Sequence, residues 1–325
     1  MTTEIATRYL RFAQLEAAGQ SLIYEHLATH VARSQLCLNF LSALPPDRQQ
    51  PNLLFAAVRC VVGDITSSDA LDIALSEHAR AIAELMLSRT TQTNEPGRCA
   101  VLLPVLAQID GPIALIEVGA SAGLCLLPDL YSYDWGRYQL SPPQLDQVVA
   151  PTIACRVSQN TPLPWKYPDV VWRMGLDLNP LDVHNNADVT WLEHLVWPEH
   201  SMRLDRLRTA IAVAQSCPPR IVAGDLMRDL QGLIAEAPPY ATVVVFHTAV
   251  LTYIADQTQR DTFARMMLES RAIWISNEGV SVFPQLAAGA GRLQENMFLL
   301  TRNGNPLAWT GPHGQKIDWL TTVPP

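Results

Sequence analysis

An apolar segment that runs directly into a glycine-rich turn constrains the fold of this chain more than any other feature. Ala114–Val118 has the composition of a buried strand, and Gly119–Gly123 follows it at once. Glycine has no Cβ, so a turn of this kind can bring backbone N–H groups up to a ligand at the start of a helix. We therefore predict a strand, a ligand-binding turn and a helix in succession, although a tight turn with only a structural role would have the same sequence.

Two enzyme motifs share this string. The order acid-x-Gly-x-Ser-x-Gly, which begins at Glu117, resembles motif I of class I S-adenosylmethionine (SAM) methyltransferases, with Ser121 at the position of the middle glycine. Gly119, Ser121 and Gly123 also form the G-x-S-x-G nucleophile elbow of α/β-hydrolases, which likewise lies between a strand and a helix. The turn by itself does not separate a cofactor site from a catalytic serine.

The composition is that of an ordinary globular protein. With 325 residues, of which 48% are hydrophobic and 17% charged, the chain favours two domains and a sizeable core. A net charge of -8 and scattered basic residues make nucleic acid an unfavourable partner. The one basic cluster, Arg203, Arg206 and Arg208, is interrupted by Asp205, and we interpret it as the solvated face of a helix.

Cysteine usage and the N-terminus point to the same compartment. The six cysteines are widely spaced without a C-x-x-C pair, which is typical of reduced, structural residues. The first residues lack a basic region followed by an apolar stretch, and no uncharged apolar run reaches the length of a membrane span. We expect a cytoplasmic protein that does not associate with membranes.

The hydrophobic pattern changes near residue 110. Before it, apolar residues recur at three- and four-residue intervals, which predicts an all-helical N-terminal domain over 1–110, including one long helix from Ser68 or Asp69 to Ser88. After it, short apolar strands alternate with helical segments, which predicts a Rossmann-like α/β domain over 111–325 with a mostly parallel sheet. A proline-rich, partly β insertion is expected over about 132–168.

Strands are predicted near residues 113–118, 170–176, 220–223, 241–247 and 271–276. Two more, near Met297–Thr301 and Leu307–Trp309, flank Asn303-Gly304, a dipeptide typical of hairpin turns. A closing antiparallel hairpin also suits the methyltransferase pattern.

Acidic residues follow two further predicted strands. Asp177 stands where a dinucleotide-type site holds ribose hydroxyls, and Asn179 follows it; the long distance from Gly123 requires that 132–168 be an insertion. Asp225 closes the third strand and resembles the methyltransferase aspartate that contacts the adenine amino group. Each aspartate also suits a structural capping turn.

The fourth strand, Thr242–His247, resembles methyltransferase motif IV, whose end faces the reacting methyl group. Ligands of open α/β sheets bind at the carboxyl ends of the strands. The candidate cofactor-binding residues are therefore Glu117, Gly119, Ser121, Gly123, Asp177, Asn179, Asp225 and His247. The candidate catalytic residues are His247, Glu278, Glu95 and Arg98, with Asn94 beside them; a satisfied sheet-edge histidine and a local Glu95–Arg98 ion pair are the structural alternatives.

Longer strings resemble one bacterial family, known as domain of unknown function 2332. They are Gln50–Leu54, Thr91–Glu95 with Gly97–Cys99, the glycine turn, Gly175–Asp182, Ser276–Gly279 and Trp309–Gln315. The resemblance covers almost the whole chain and implies a methyltransferase-like fold behind a helical N-terminal domain. With the strand-end motifs, it makes SAM the expected cofactor and an unidentified small molecule the expected methyl acceptor.

Other functions stay open at this point. A hydrolase would use Ser121, Asp225 and His247 or His313, but that fold needs several strands before the elbow, and the region upstream of Ile113 has a helical pattern. Binding of SAM or a nucleoside without turnover is a third possibility. His26 and His30 share a helical face without an evident third ligand, so we predict no metal site.

Overall fold

The computed structural model describes residues 2–92, 94–143, 148–291, 293–294 and 296–320. The helices, in chain order, are α1 (Thr2–Phe12), α2 (Leu22–Val31), α3 (Gln35–Ser42), α4 (Pro51–Val62), α5 (Ser68–Glu77), α6 (Ala79–Ser88), α7 (Cys99–Leu106), α8 (Asn186–Leu195), α9 (Ser201–Ser216), α10 (Leu230–Glu236), α11 (Gln257–Glu269) and α12 (Pro284–Ala288). The strands are β1 (Pro112–Val118), β2 (Ser132–Asp134), β3 (Gln139–Leu140), β4 (Thr152–Ala154), β5 (Arg156–Val157), β6 (Asp169–Asp177), β7 (Arg220–Ala223), β8 (Thr242–Thr248), β9 (Ile273–Gly279), β10 (Phe298–Arg302), β11 (Asn305–Thr310) and β12 (Lys316–Trp319).

The chain forms two compact units. One contains Met1–Thr93 and Asn185–Asp205, and the other contains Asn94–His184 and Arg206–Pro325. These units differ from the expected division at residue 110, because α7 belongs with the sheet and α8 with the N-terminal helices, where it packs against α4. Hydrophobic periodicity identifies a helix but not the surface against which it packs. The sequence pattern therefore assigned α7 and α8 to the domains of the segments that flank them in the chain.

The first unit is helical, as the periodicity predicts. Serines cap three of its helices, since the side chains of Ser21, Ser34 and Ser67 accept hydrogen bonds from the first turns of α2, α3 and α5. The long helix predicted up to Ser88 is instead two helices, α5 and α6, because His78 between them has a non-helical backbone (φ −123°, ψ 17°).

In the described residues, the second unit contains a nine-stranded, mostly parallel sheet in the order β5-β12-β11-β10-β9-β8-β1-β6-β7. Its central strands β7, β6, β1, β8 and β9 are parallel and match the five predicted strands. The predicted hairpin is β10–β11, whose turn residues Asn303 and Gly304 have the positive φ angles, 49° and 74°, that favour this dipeptide. One face of the sheet packs against α10 and α11 through a core that includes Leu230, Phe263 and Trp274.

The segment from 132 to 168 is partly β, as expected. It supplies the small sheet β3-β2-β4 and the strand β5, which pairs with β12 at the edge of the main sheet. Residues 144–147 of this segment lie outside the described residues.

The prediction of a helix directly after the glycine turn is wrong. Two short 3₁₀ turns, Leu124–Leu126 and Pro128–Leu130, take its place. All four residues Leu124–Leu127 are buried, so the segment has no polar face, and Pro128 lacks the N–H that would continue a helix. Within the described part of the chain, no helix is both long and apolar enough to cross a membrane.

Candidate functional site

The parallel strands bring most of the predicted site residues to one edge of the sheet. Glu117 lies near the end of β1, Asp177 ends β6, His247 is next to last in β8, and Glu278 is next to last in β9. Asp225 follows β7 by two residues. The carboxyl ends of parallel strands share an edge, so the juxtaposition expected from the strand pattern is present.

The backbone of the glycine turn is engaged within the protein. Gly119 and Ala120 donate to the Leu176 carbonyl at 2.8 and 3.2 Å, and the Ser121 N–H donates to Asp177 Oδ2 at 2.8 Å. Two more N–H groups of the turn are also paired: Gly123 donates to Ala120 O at 2.6 Å, and Leu124 donates to Asn94 Oδ1 at 2.9 Å. These N–H groups are therefore not available as a cradle for a phosphate.

Packing explains the two glycines of the turn. A Cβ on Gly119 would lie 2.4 Å from a methyl carbon of Val250, and one on Gly123 would lie 2.7 Å from Pro219. Both glycines have positive φ, 71° and 73°, and Ser121 between them has φ 51°. The turn is closed against neighbouring side chains, which agrees with the structural role considered above.

Asp177 and Asp225 hold turns. Asp177 Oδ1 accepts from the Asn179 N–H at 2.8 Å, while its other oxygen holds Ser121. Asp225 Oδ1 accepts from the backbone N–H of Met227 at 2.8 Å. Each aspartate is only partly buried, and a carboxylate has about four acceptor sites.

His247 is fully buried and engaged at both ring nitrogens. Its Nδ1 lies 2.7 Å from Glu278 Oε1, and its Nε2 accepts from the indole N–H of Trp274 at 2.9 Å. Since Nε2 accepts, the proton is assigned to Nδ1, which donates to Glu278. Glu278 Oε1 also accepts from the N–H groups of Val250 and Leu251, at 2.9 and 3.1 Å. This arrangement fixes the loop after β8 and leaves His247 no lone pair for proton transfer.

The hydrolase triad that includes His247 is not assembled. The acid partner of His247 is Glu278 rather than Asp225, and its Nε2 is occupied by Trp274, so it cannot take a proton from Ser121. The alternative histidine, His313, lies beside Glu95, with 3.9 Å between Nδ1 and Oε2.

Segment 94–98 belongs to the sheet unit and reaches its carboxyl edge. Asn94 Nδ2 donates to Ala120 O at 3.0 Å, and Arg98 Nη1 donates to Thr248 O at 2.9 Å. The local Glu95–Arg98 ion pair is absent from the described contacts, because Glu95 Oε1 pairs instead with Arg206 Nη2 at 2.9 Å. The interpretation of the basic cluster as wholly solvated is therefore wrong for Arg206, whose partner is 111 residues away in the sequence.

Arg98 is a buried cation without a carboxylate partner. It is 7% exposed, and its described hydrogen bonds go to the carbonyl oxygens of Thr248 and Pro312 and to the Thr248 hydroxyl. Among the residues that the structure describes, no carboxylate lies within ion-pair distance of Arg98. A buried guanidinium whose hydrogen bonds go only to carbonyl and hydroxyl oxygens attracts an anionic group.

Glu117 is a buried acidic side chain near the buried cation Arg98. Its side chain is buried, and among the described residues its Oε2 has no hydrogen-bond partner. Burial raises the pKa of the Glu117 carboxyl well above its ordinary value; Cys125 and Asp177 raise it further, while nearby Arg98 lowers it. A cationic or hydrogen-bond-donating ligand group would satisfy this carboxyl.

The pairing register places Glu117 and Thr248 on the same face of the sheet with Asn277. Glu117 pairs with Phe246, two residues before Thr248, and Thr248 pairs with Asn277. The Asn277 amide is a site that the sequence analysis missed: its oxygen accepts from Thr310 at 2.6 Å, while its Nδ2 has no partner in the described structure. We call Arg98, Glu117, Thr248 and Asn277 the edge cluster; its unsatisfied groups comprise a cation, a carboxyl and an amide donor.

The edge cluster can bind a zwitterion. An amino acid group offers a carboxylate to Arg98 and an ammonium to Glu117, and neither residue forms a salt bridge among the described residues. Adjacent Asp177 offers acceptors for hydroxyl groups.

Comparison with known proteins identifies a family. A family model described as "Uncharacterized protein conserved in bacteria (DUF2332)" matches residues 6–319. No curated protein and no solved structure matches the chain.

Proposed function

The chain belongs to the bacterial DUF2332 family, whose model spans residues 6–319, and we propose that its sheet unit binds SAM at the carboxyl edge and transfers the methyl group to a small-molecule acceptor. The observation that carries this proposal is the edge cluster: among the described residues, buried Arg98 has no carboxylate partner and buried Glu117 Oε2 has no hydrogen-bond partner. An amino acid group satisfies both at once. SAM combines such a group with a nucleoside.

The strand order supports a nucleoside site. Numbered in chain order, the central parallel strands β7, β6, β1, β8 and β9 follow the 3-2-1-4-5 order of Rossmann-like sheets, which bind ligands where the order reverses, here between β1 and β8. Asp177 and Asp225 lie beyond the strands on one side of that point and are suited to ribose hydroxyls and an adenine amino group. This agrees with the methyltransferase resemblance of the motifs.

The hydrogen bonds of the glycine turn disfavour ligands that contain a pyrophosphate group. The N–H groups from Gly119 to Ser121 are engaged within the protein, and the carboxylate of Asp177 lies against the turn, so a pyrophosphate would meet repulsion and few donors. A cationic nucleoside is favoured over NAD or ATP. When bound, SAM would supply a methyl group already activated on a sulfonium, and the chain's own task is to hold the ligand and the acceptor in line.

One observation favours a second candidate function. Both nitrogens of His247 are engaged, so this residue supplies no ready general base. The protein would then either methylate an acceptor that needs no deprotonation or bind SAM without turnover. Incubating the full chain and a bacterial small-molecule extract with methyl-labelled SAM separates these candidates, because transferred label supports the enzyme and binding without transfer supports the binder.

Calorimetry on the full chain tests the binding proposal. SAM and S-adenosylhomocysteine should bind, whereas ATP should not. Asp177→Asn should weaken SAM binding by about 1–3 kcal/mol through loss of charge-assisted hydrogen bonds. Asp169→Asn is the matched control, since Asp169 is exposed at the opposite end of the same strand, β6.

A further variant tests the role of the edge cluster. Arg98→Gln should weaken binding of SAM but not of methylthioadenosine, a nucleoside thioether without the amino acid group. Absence of SAM binding by the folded wild-type protein would refute the proposed function. Equal effects of Arg98→Gln on both ligands would refute the role assigned to Arg98.

A further inference from the structure

Three helices of the first unit bring a histidine, a cysteine and an aspartate together. His30 lies in the last turn of α2, Cys37 in the first turn of α3, and Asp72 in the middle of α5. His30 Nε2 is 2.9 Å and Cys37 Sγ is 3.4 Å from the same oxygen, Asp72 Oδ1. The three candidate ligand atoms lie within 4.8 Å of one another.

We propose that His30, Cys37 and Asp72 form a binding site for a transition-metal ion of the zinc class. The sequence predicted no metal site, since the candidate ligands on one helical face were His26 and His30 alone. His26 instead contacts Ser68 Oγ at 2.9 Å, and the partners of His30 come from α3 and α5. Neither spacing nor a motif reveals this set, because Asp72 is 42 residues from His30.

The donor types select the metal. Imidazole, thiolate and carboxylate are ligands for Zn²⁺ and Co²⁺, whereas Mg²⁺ and Ca²⁺ prefer oxygen alone. Binding would displace the Cys37 thiol proton to solvent and use the His30 Nε2 lone pair and the Asp72 carboxylate. A divalent ion with one thiolate and one carboxylate gives a neutral site, which suits its partly buried position.

The distances require little movement. Tetrahedral zinc geometry separates nitrogen and oxygen ligands by about 3.4 Å and sulfur and oxygen ligands by about 3.6 Å. The observed distances from Asp72 Oδ1 are 2.9 Å to His30 Nε2 and 3.4 Å to Cys37 Sγ. They therefore need to lengthen by only about 0.5 and 0.2 Å when an ion replaces the hydrogen bonds.

The surroundings supply entry and support. The side chains of His30 and Asp72 are 24% and 37% exposed, which leaves a route for the ion and a position for water. Ser34 Oγ, 3.4 Å from Asp72 Oδ1, is a candidate fourth ligand.

The test is Co²⁺ titration of the full chain after treatment with a chelator. The wild-type protein should bind one equivalent with the absorption of cobalt–thiolate charge transfer, and Zn²⁺ should displace it. Loss of an outer partner of a metal site costs roughly 10–100-fold in affinity, so Asp72→Asn, which loses a direct ligand, should cost at least about 100-fold. Cys37→Ser should abolish the charge-transfer band.

Two controls make the result specific. Cys60→Ser removes the thiol of another cysteine–histidine contact, 3.2 Å from His194 Nδ1, and Cys217→Ser removes an exposed thiol; both should leave cobalt binding unchanged. Circular dichroism checks the fold of each variant. If the Cys37→Ser protein fails to fold, the cobalt spectrum of the wild-type protein and the cobalt affinity of the Asp72→Asn protein still test the proposal, because Asp72 is partly exposed. A wild-type protein without the band, or a folded Cys37→Ser that keeps it, would overturn the proposal.

Discussion

Replacing Glu117 with glutamine should stabilise the protein at neutral pH and remove part of its pH dependence. Burial raises the pKa of the Glu117 carboxyl in the folded protein, whereas the unfolded chain releases this proton near pH 4.3. The folded state therefore binds one more proton than the unfolded state between these two pKa values. The stability that this proton contributes is complete below the unfolded pKa and is lost as pH rises toward the folded pKa.

The pH dependence of the free energy of unfolding follows from the one additional proton that the folded state binds. Above about pH 5, the wild-type free energy of unfolding should fall relative to Glu117→Gln by about 1.4 kcal/mol per pH unit, for as long as the folded carboxyl stays protonated. Glutamine has nearly the same shape and no charge, so it removes the ionisation and keeps the packing. Its amide also has a polar atom without a partner at the position of Oε2, so the slope with pH is the diagnostic quantity rather than the absolute stability.

Urea denaturation at pH 5, 6 and 7 measures this difference. Glu269→Gln is the control, because Glu269 is an exposed residue of the same unit, at the end of α11, and its substitution should leave the pH slope unchanged. Parallel stability curves for wild-type and Glu117→Gln proteins across this range would refute the reasoning, since they would mean that Glu117 ionises in the folded state as it does in the unfolded chain.

Two further predictions concern the glycine turn. Gly119→Ala should destabilise the protein by about 1–3 kcal/mol, because the new Cβ would lie 2.4 Å from Val250 on a backbone with φ 71°. Adding Val250→Ala should recover part of that loss in thermal denaturation, and full additivity of the two changes would contradict the close contact. Ser121 should not react with a fluorophosphonate probe, because the assigned acceptor nitrogen of His247 is occupied by Trp274; mass-spectrometric detection of labelled Ser121 would favour a hydrolase.

Local sequence determined the parallel part of the sheet and the position of its acidic edge. Each strand is a short apolar run bounded by turn residues, so β1, β6, β7, β8 and β9 are visible one at a time. Once strands and helices alternate, the carboxyl ends share an edge, and this places Glu117, Asp177, His247 and Glu278 together. The Asn-Gly hairpin is equally local, because the turn conformation depends on the two residues that adopt positive φ.

Tertiary structure alone decided which of these groups are satisfied. His247 has a typical catalytic residue type and position, yet Trp274 and Glu278 engage both of its nitrogens. Arg98 and Glu95 form no ion pair among the described contacts: Glu95 pairs with Arg206 from α9, and Arg98 donates to the carbonyl oxygens of Thr248 and Pro312. Hydrogen bonds and ion pairs between distant segments depend on side-chain positions that no local pattern encodes, since they arise only when the elements pack. For the same reason, the sequence locates the edge of the sheet, and packing decides which of its groups are left for a ligand.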